Sequence, residues 1–395
     1  MNLLVISETF YPEGRGGEVA TYLYAKLLKE RGLNVKVLST TTRAVPLAGK
    51  VEGLSVYRIP KKKATKYWVI SDFIYSNFLM KLFEWSDVIY MTGRLHLIPQ
   101  LKRLRKPIVI HLHSSFPACP LGSAFNFMSK STCSLDKNFL ECFPCIILYE
   151  KLNGRNMVKV LASSLLNSTL GMIYDRYLAY ADALLFVSNF HRDVFLSKFP
   201  TFSNKSFVIY NPLPQLPYLE IKGDDLGYFG GIDYLKGFYV LIQAWLKILG
   251  KHDSFIHIAP ASSQKRVLKR RRIVLYPRLR GRMYDEVYKH IRAVLVPSIA
   301  PETFSYVVSE ACLRGRIVVA SQVGGIPEIT EGLRGVFMVK PNDINSLADA
   351  LDLVLSMDRS EAIELGLKNR EGILRKFNSR RSVNELVRVF EKVVG

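Results

Sequence analysis

The first forty residues constrain the fold most. LLVIS (3–7) is a short aliphatic run, a glycine-rich turn follows at Gly14, Gly16 and Gly17, and a helix-period stretch runs over about 18–31. Gly32 ends that helix and VKVLS (35–39) resumes as strand. Strand, helix and strand in that order belong to a parallel sheet flanked by helices, because the right-handed crossover packs the helix back onto the sheet. Further strands are expected at 87–91, 107–111, 183–187 and 206–210. A second series of strands follows NPLPQLP (211–217), whose three prolines suit an interdomain linker. It comprises 226–229, 255–259, 272–276, 293–297 and 317–321, with helices from about 236 and near 305–314. No repeat at a period of 20 to 50 residues is present, which excludes a solenoid.

A chain of 395 residues is too long for one core, and 49% hydrophobic residues exclude disorder, collagen-like and disulfide-scaffold classes. The expected class is α/β: two Rossmann-like domains, 1–213 and 214–377, whose parallel sheets face a central cleft. Val383, Leu386, Val387, Phe390 and Val393 lie at helical spacing, so 378–395 is expected to form a closing helix that packs back on the N-terminal domain. The N-terminal apolar stretch lacks the basic start and cleavage site of a signal peptide. The apolar segment 157–187 is interrupted by Lys159, Asp175, Arg176 and Asp182, short of the roughly 18 to 20 clean residues of a membrane span. A cytoplasmic location is expected. The formal charge of +21 attracts anions without choosing among nucleic acid, anionic lipid and phosphorylated metabolites.

The most informative segment is AVLVPSIAPETFSYVVSEACLRGRIVVAS (293–321). A buried strand ends at Pro297, a loop holds Glu302, and Thr303 or Ser305 can cap a helix with Val307, Val308, Ala311 and Cys312 on its apolar face. Glu302 and Glu310 are eight residues apart, with helix N-terminal amides between them. Carboxylates accept hydrogen bonds from sugar hydroxyls, and a helix N-terminus attracts phosphate. The plain alternative is a helix-dipole carboxylate and a solvated one. A glycosidase pair is disfavoured, since eight helical residues span about 12 Å against the roughly 5 to 9.5 Å such pairs need.

This segment resembles the signature of the family 4 retaining glycosyltransferases of the GT-B fold, a proline-serine strand end followed by E-x7-E. Four further stretches are similar to the family in order: GRGGEVATYLYAKLLKERGLNVKVLS (14–39), HLHSS (111–115), VSNF with VIYNPLP (187–190 and 208–214), and GYFGGIDYLKGFYVLIQAW (227–245). The resemblance implies an enzyme that moves a sugar from a UDP- or GDP-sugar to a glycan or lipid-linked acceptor, with no cofactor or metal for catalysis. It implies that Gly16 and Gly17 approach the donor diphosphate and that Lys236 stabilises the departing charge. By the same likeness Glu310 accepts from the ribose, and Glu302 holds the sugar with the amides of Phe304, Ser305 and Tyr306. His113 matches the histidine beside the sugar, with His111 ranked second. Two positions depart from the pattern. Gly231 stands where the family often has arginine, leaving Arg15 and Arg282 as guesses for the missing contact, and Ser305 stands where glycine is usual.

Cys119, Cys133, Cys142 and Cys145 cluster after the histidine strand, in an insert at about 115–150. They suit a structural zinc site, with disulfides or unliganded thiols as the alternatives. Up to position 213 the chain carries 27 basic and 14 acidic residues. Lys61, Lys62, Lys63 and Lys66 precede Tyr67, Trp68, Phe73, Tyr75, Phe78 and Phe83, a pattern suited to an anionic membrane surface. Lys102, Arg103, Arg105 and Lys106 form a second cluster, and the basic run 265–272 reads as a solvated helix face. Nucleic-acid binding is disfavoured because no recognised signature accompanies the cations. A nucleotide-sugar epimerase of the same fold is the closer rival.

Overall fold

In the computed structural model the alternation of strands and helices forms two units, Met1–Pro212 with Ser379–Gly395, and Leu213–Asn378. The structure describes residues 1–14, 16–41, 46–60, 76–134, 139–152, 174 and 176–395.

The strands of the first unit are β1 (Asn2–Ile6), β2 (Asn34–Thr41), β3 (Ala48–Val51), β4 (Leu54–Pro60), β5 (Val88–Met91), β6 (Ile108–Leu112), β7 (Phe125–Asn126), β8 (Ser131–Thr132), β9 (Ala183–Phe186) and β10 (Ser206–Val208). Eight of them form one sheet in the order β10-β9-β6-β5-β1-β2-β4-β3, while β7 and β8 pair alone. The central strands β5, β6 and β9 are buried at every position, as expected of parallel strands covered on both faces. Alternate residues feed opposite layers. Leu4, Ile6, Ile89 and Met91 join one core, and Leu3, Val5, Val88 and Tyr90 join the other. The second core is covered by the helix Gly16–Glu30 and by the last helix, Ser379–Val394, which contributes Val383, Leu386, Val389 and Phe390.

The second unit contains β11 (Asp225–Tyr228), β12 (Ile256–Ile258), β13 (Arg266–Leu268), β14 (Ile273–Leu275), β15 (Ile291–Val296), β16 (Ile317–Ser321) and β17 (Val336–Val339). Their order is β13-β14-β12-β11-β15-β16-β17, parallel except at the edge pair β13–β14. The basic run 265–272 therefore departs from its expected helical form. Arg266–Leu268 is an edge strand and Lys269–Arg271 a 3-10 turn. The antiparallel ladder to β14 supplies the backbone partners. Arg272 closes the turn with a left-handed backbone (φ 51) while its Nη1 donates to the His252 carbonyl at 2.8 Å.

No helix among the described residues is long and apolar enough to cross a membrane. Lys61, Lys62, Lys63, Lys66, Tyr67, Trp68, Phe73 and Tyr75 lie outside the described residues, as does much of 157–187.

Candidate functional site

In the second unit the chain runs outward from β11 through β12 to the edge pair β13–β14, returns to β15, and runs the other way through β16 to β17. Strands β11 and β15 flank this reversal, where an open parallel sheet leaves a crevice beyond its carboxyl ends. The loops leaving these two strands carry Lys236 and Glu302.

Gly237 explains how the two loops meet. Its backbone is left-handed (φ +77), and a Cβ there would stand 1.8 Å from the Pro297 carbonyl oxygen. Only glycine admits that approach, so the helix Phe238–Ile248 starts against the end of β15. Asp233 Oδ1 accepts from the amides of Leu235 and Lys236 at 2.8 and 3.2 Å, and the Ile299 amide donates to the Leu235 carbonyl at 2.8 Å. Lys236 Nζ then lies 3.1 Å from Glu302 Oε1. Ser298 Oγ donates to the same oxygen. The Glu302 carbonyl accepts from the Gly325 amide at 2.7 Å, and Gly324 leaves room for it, since a Cβ there would come within 2.3 Å. The lysine side chain keeps 46% of its surface and the glutamate 11%. One end of the pair is fixed and the other open to a ligand.

The helix Tyr306–Leu313 begins beside this pair. Ser305 takes the N-cap position but its hydroxyl makes no cap bond, and this buried Oγ has no hydrogen-bond partner. Neither the Phe304 nor the Ser305 amide donates to a protein acceptor among the described residues. Orphan N–H groups at a helix start suit an anion. Glu310 lies further along the same helix, and Arg314 follows one turn later, its Nη1 3.8 Å from Glu310 Oε2. The structure thus brings Lys236, Glu302, Phe304, Ser305, Tyr306 and Glu310 into one region of the second unit.

Gly16, Gly17 and His113 belong to the first unit. His113 follows β6, and a Cβ on Gly17 would stand 3.2 Å from His113 Cβ, so this glycine lets the first helix approach the histidine. His111, inside β6, accepts from or donates to Tyr90 Oη at Nδ1 (2.7 Å), and its ring stacks on His113 at 4.6 Å. His191 Nε2 donates to the Ser114 carbonyl at 3.0 Å, and Ser188 caps the His191 helix by accepting from its amide at 3.1 Å. Burial depresses all three imidazoles: His113 to about 3, with neighbouring His191 adding, and His191 to about 4. His111 falls well below its ordinary value from burial first and then from His113 and His191. His113 is therefore a neutral ring at physiological pH.

The zinc expectation gains no support. Cys119, Cys133, Cys142 and Cys145 do line one pocket, with Phe125 and Ile146. Among the described residues, however, no group of three or more His, Cys, Asp or Glu side chains is placed to hold a metal ion, and no disulfide joins the cysteines. The Cys145 sulfur is occupied by backbone contacts, accepting from the Phe127 amide at 3.4 Å and donating to the Phe125 carbonyl at 3.8 Å. Of the two guesses for the missing arginine contact, Arg282 is exposed on the helix Gly281–His290 and Arg15 lies outside the described residues. Gly231 has a left-handed backbone (φ +73) that an arginine would adopt only under strain. Sequence reasoning missed Ser298, Asp285 and Arg314. Ser298 was within reach, because it stands four residues before Glu302 in the motif.

The family described as glycosyltransferase family 4 matches residues 14–214, and the family described as glycosyl transferases group 1 matches residues 223–357. An uncharacterised 42.6 kDa protein of the Klebsiella pneumoniae cps region is 24% identical over 377 residues, which cover 91% of this chain and 95% of that protein. Among solved structures, sucrose-phosphate synthase of Thermosynechococcus elongatus has a TM-score of 0.73 at 16% identity, over 99% of this chain and 98% of that one. Anabaena HepE in complex with UDP-glucose has a TM-score of 0.66 at 15% identity, over 99% and 100%. These likenesses show the GT-B fold.

Proposed function

Because this chain belongs to glycosyltransferase family 4, we propose that it transfers a sugar with retention from a UDP- or GDP-sugar to a glycan or lipid-linked acceptor. The observation that carries this reading is the Lys236–Glu302 pair at the carboxyl ends of β11 and β15, beside orphan helix amides. In the proposed step the bond from the anomeric carbon to the diphosphate breaks while an acceptor oxygen bonds to the same face. The acceptor proton passes to the leaving diphosphate oxygen. Lys236, beside the N-terminus of the helix Tyr306–Leu313, faces the charge that develops there, which a preorganised site stabilises better than water does. With cationic and dipolar groups in that position, the reaction is read as metal-independent. Glu302 with the amides of Phe304, Ser305 and Tyr306 is assigned the sugar and Glu310 the ribose, and the family likeness assigns Gly16 and Gly17 to the diphosphate and neutral His113 to the transferred sugar. The family match favours transfer over epimerisation.

UDP-glucose, carried by the HepE structure, is the first donor to assay. Release of nucleoside diphosphate in the presence of 5 mM EDTA, at the rate seen without it, is the expected result. Loss of turnover restored by a divalent cation would remove the metal-independent step.

Contact with anionic lipid, and hence a peripheral place on the inner face of the membrane, is part of the same proposal. Besides the cluster at 61–66, the edge strand β13 and its turn support it. Lys265, Arg266, Lys269, Arg270 and Arg271 are exposed there, next to exposed Val267 and Leu268, with no carboxylate at ion-pair distance among the described residues. Near an anionic leaflet each cation contributes about 1 kcal/mol. Vesicles with 30% phosphatidylglycerol are expected to pellet the protein at 50 mM salt and to release it at 0.5 M. Equal pelleting by purely zwitterionic vesicles would contradict an electrostatic contact.

A further inference from the structure

Glu310 is a carboxylate in a poor place for charge. Its side chain keeps only 23% of its surface, and the groups facing it are mixed. Tyr306 and Arg314 come from its own helix. Tyr284, Asp285 and Tyr288 come from the helix Gly281–His290 packed against it. Burial pushes the Glu310 carboxyl up, Arg314 pulls it down and Asp285 pushes it up again.

Arg314 is 4% exposed and held on three sides. Its Nη2 and Nε donate to Asp285 Oδ1 at 3.0 and 3.3 Å, and its guanidinium lies 4.6 Å from the Tyr288 ring centre and 5.2 Å from that of Tyr284. Such a fork over aromatic faces has one orientation. It leaves Nη1 buried and without a hydrogen-bond partner, 3.8 Å from Glu310 Oε2. That separation is short enough for charge attraction and too long for a hydrogen bond. The Glu310 oxygens thus keep their lone pairs for another donor. The three charged groups carry two negative charges and one positive, which repels phosphate and accepts hydroxyls. Arg314 is therefore misplaced as a phosphate arginine.

We propose that Arg314 is a positioning residue that keeps the Glu310 carboxylate ionised and oriented to accept from a vicinal diol, the ribose of the donor nucleotide. This rests on the donor-site reading above and adds to it a residue outside the E-x7-E pair. An arginine fixed by Asp285 and two phenol rings does for this carboxylate what solvent does for an exposed one.

The test is calorimetric binding of UDP and of 2′,3′-dideoxy-UDP at pH 6 and pH 8, with the GDP pair in parallel. The wild-type chain is expected to prefer the ribose form at least tenfold at both pH values. Arg314→Met loses that preference at pH 6 and recovers part of it at pH 8, because a carboxylate with a higher pKa is still ionised at the higher pH. Arg314→Lys keeps the preference at both. Arg314→Gln, which can still bond Asp285 but carries no charge, follows the methionine variant and serves where that variant does not fold. Unchanged preference in both neutral variants overturns the proposal, as does an equal loss for ribose and dideoxy forms at both pH values. Failure of the wild-type chain to bind either nucleotide contradicts the donor-site reading itself, a different result.

Discussion

Lys236→Ala lowers turnover at least a hundredfold and leaves the fold intact. A hundredfold corresponds to about 2.7 kcal/mol of transition-state stabilisation, a usual size for one preorganised charge facing a developing one. The fold is spared because the lysine's structural work is done by its backbone, which donates to Asp233 Oδ1 and accepts from Tyr228 Oη at 3.2 Å. Its ammonium is half exposed, and pairs of that kind contribute at most about 1 kcal/mol to stability. After the substitution Glu302 keeps Ser298 and its backbone bond from Gly325. The loss should fall on kcat more than on KM, since the charge is needed most when the diphosphate departs. Near-normal turnover with an unchanged melting temperature would remove Lys236 from the chemistry.

The second large effect is on stability in acid. His111, His113 and His191 are buried as neutral rings in one region of the first unit, with folded values near 3 for His113 and 4 for His191. In the unfolded chain each titrates near 6.5. Below that value the unfolded state binds protons that the folded state does not. Stability is therefore complete above about pH 6.5 and is lost as the pH falls toward the folded values. Each such proton makes stability fall by about 1.4 kcal/mol per pH unit, so the three together approach roughly 4 kcal/mol per unit near pH 5. Thermal unfolding of the full chain between pH 7 and pH 4.5 should show a steep drop with uptake of about four protons, because His96, which burial lowers to about 4, adds one to these three. A flat midpoint down to pH 5 would mean that these rings are not held neutral.

What could be read in advance follows the range of the interactions involved. The alternation of aliphatic runs and helical periods is local, and so the strands at 3–7, 35–39, 183–187 and 293–297 were legible. The hairpin of β3 and β4 was not. Ala48, Gly49 and Lys50 are exposed, so no apolar run marks β3, although Glu52 and Gly53, with φ values of 44 and 82, are the two-residue turn such a hairpin needs. The basic run at 265–272 was misread because cations mark a solvated edge strand as readily as a helix face. In the site, Glu302 and Glu310 were legible as a spacing and Lys236 through the family resemblance. The Arg314–Asp285 contact joins residues 29 apart, and the Tyr90–His111 contact joins two strands 21 residues apart. No local period reports either. The cysteine spacing C-x-x-C pointed to a metal, but spacing carries no information on where the sulfurs point, and Cys145 is turned to backbone groups.

The central claim is that this chain moves a sugar from a nucleotide donor with its anomeric configuration kept. Proton NMR of the reaction with UDP-glucose, read at the anomeric signal from the first turnovers, tests it most directly. The account predicts an α-linked product from the α-linked donor, formed at least a hundredfold more slowly by the Lys236→Ala protein. A β-linked first product would contradict it, and so would the same α product formed undiminished by the Lys236→Ala protein.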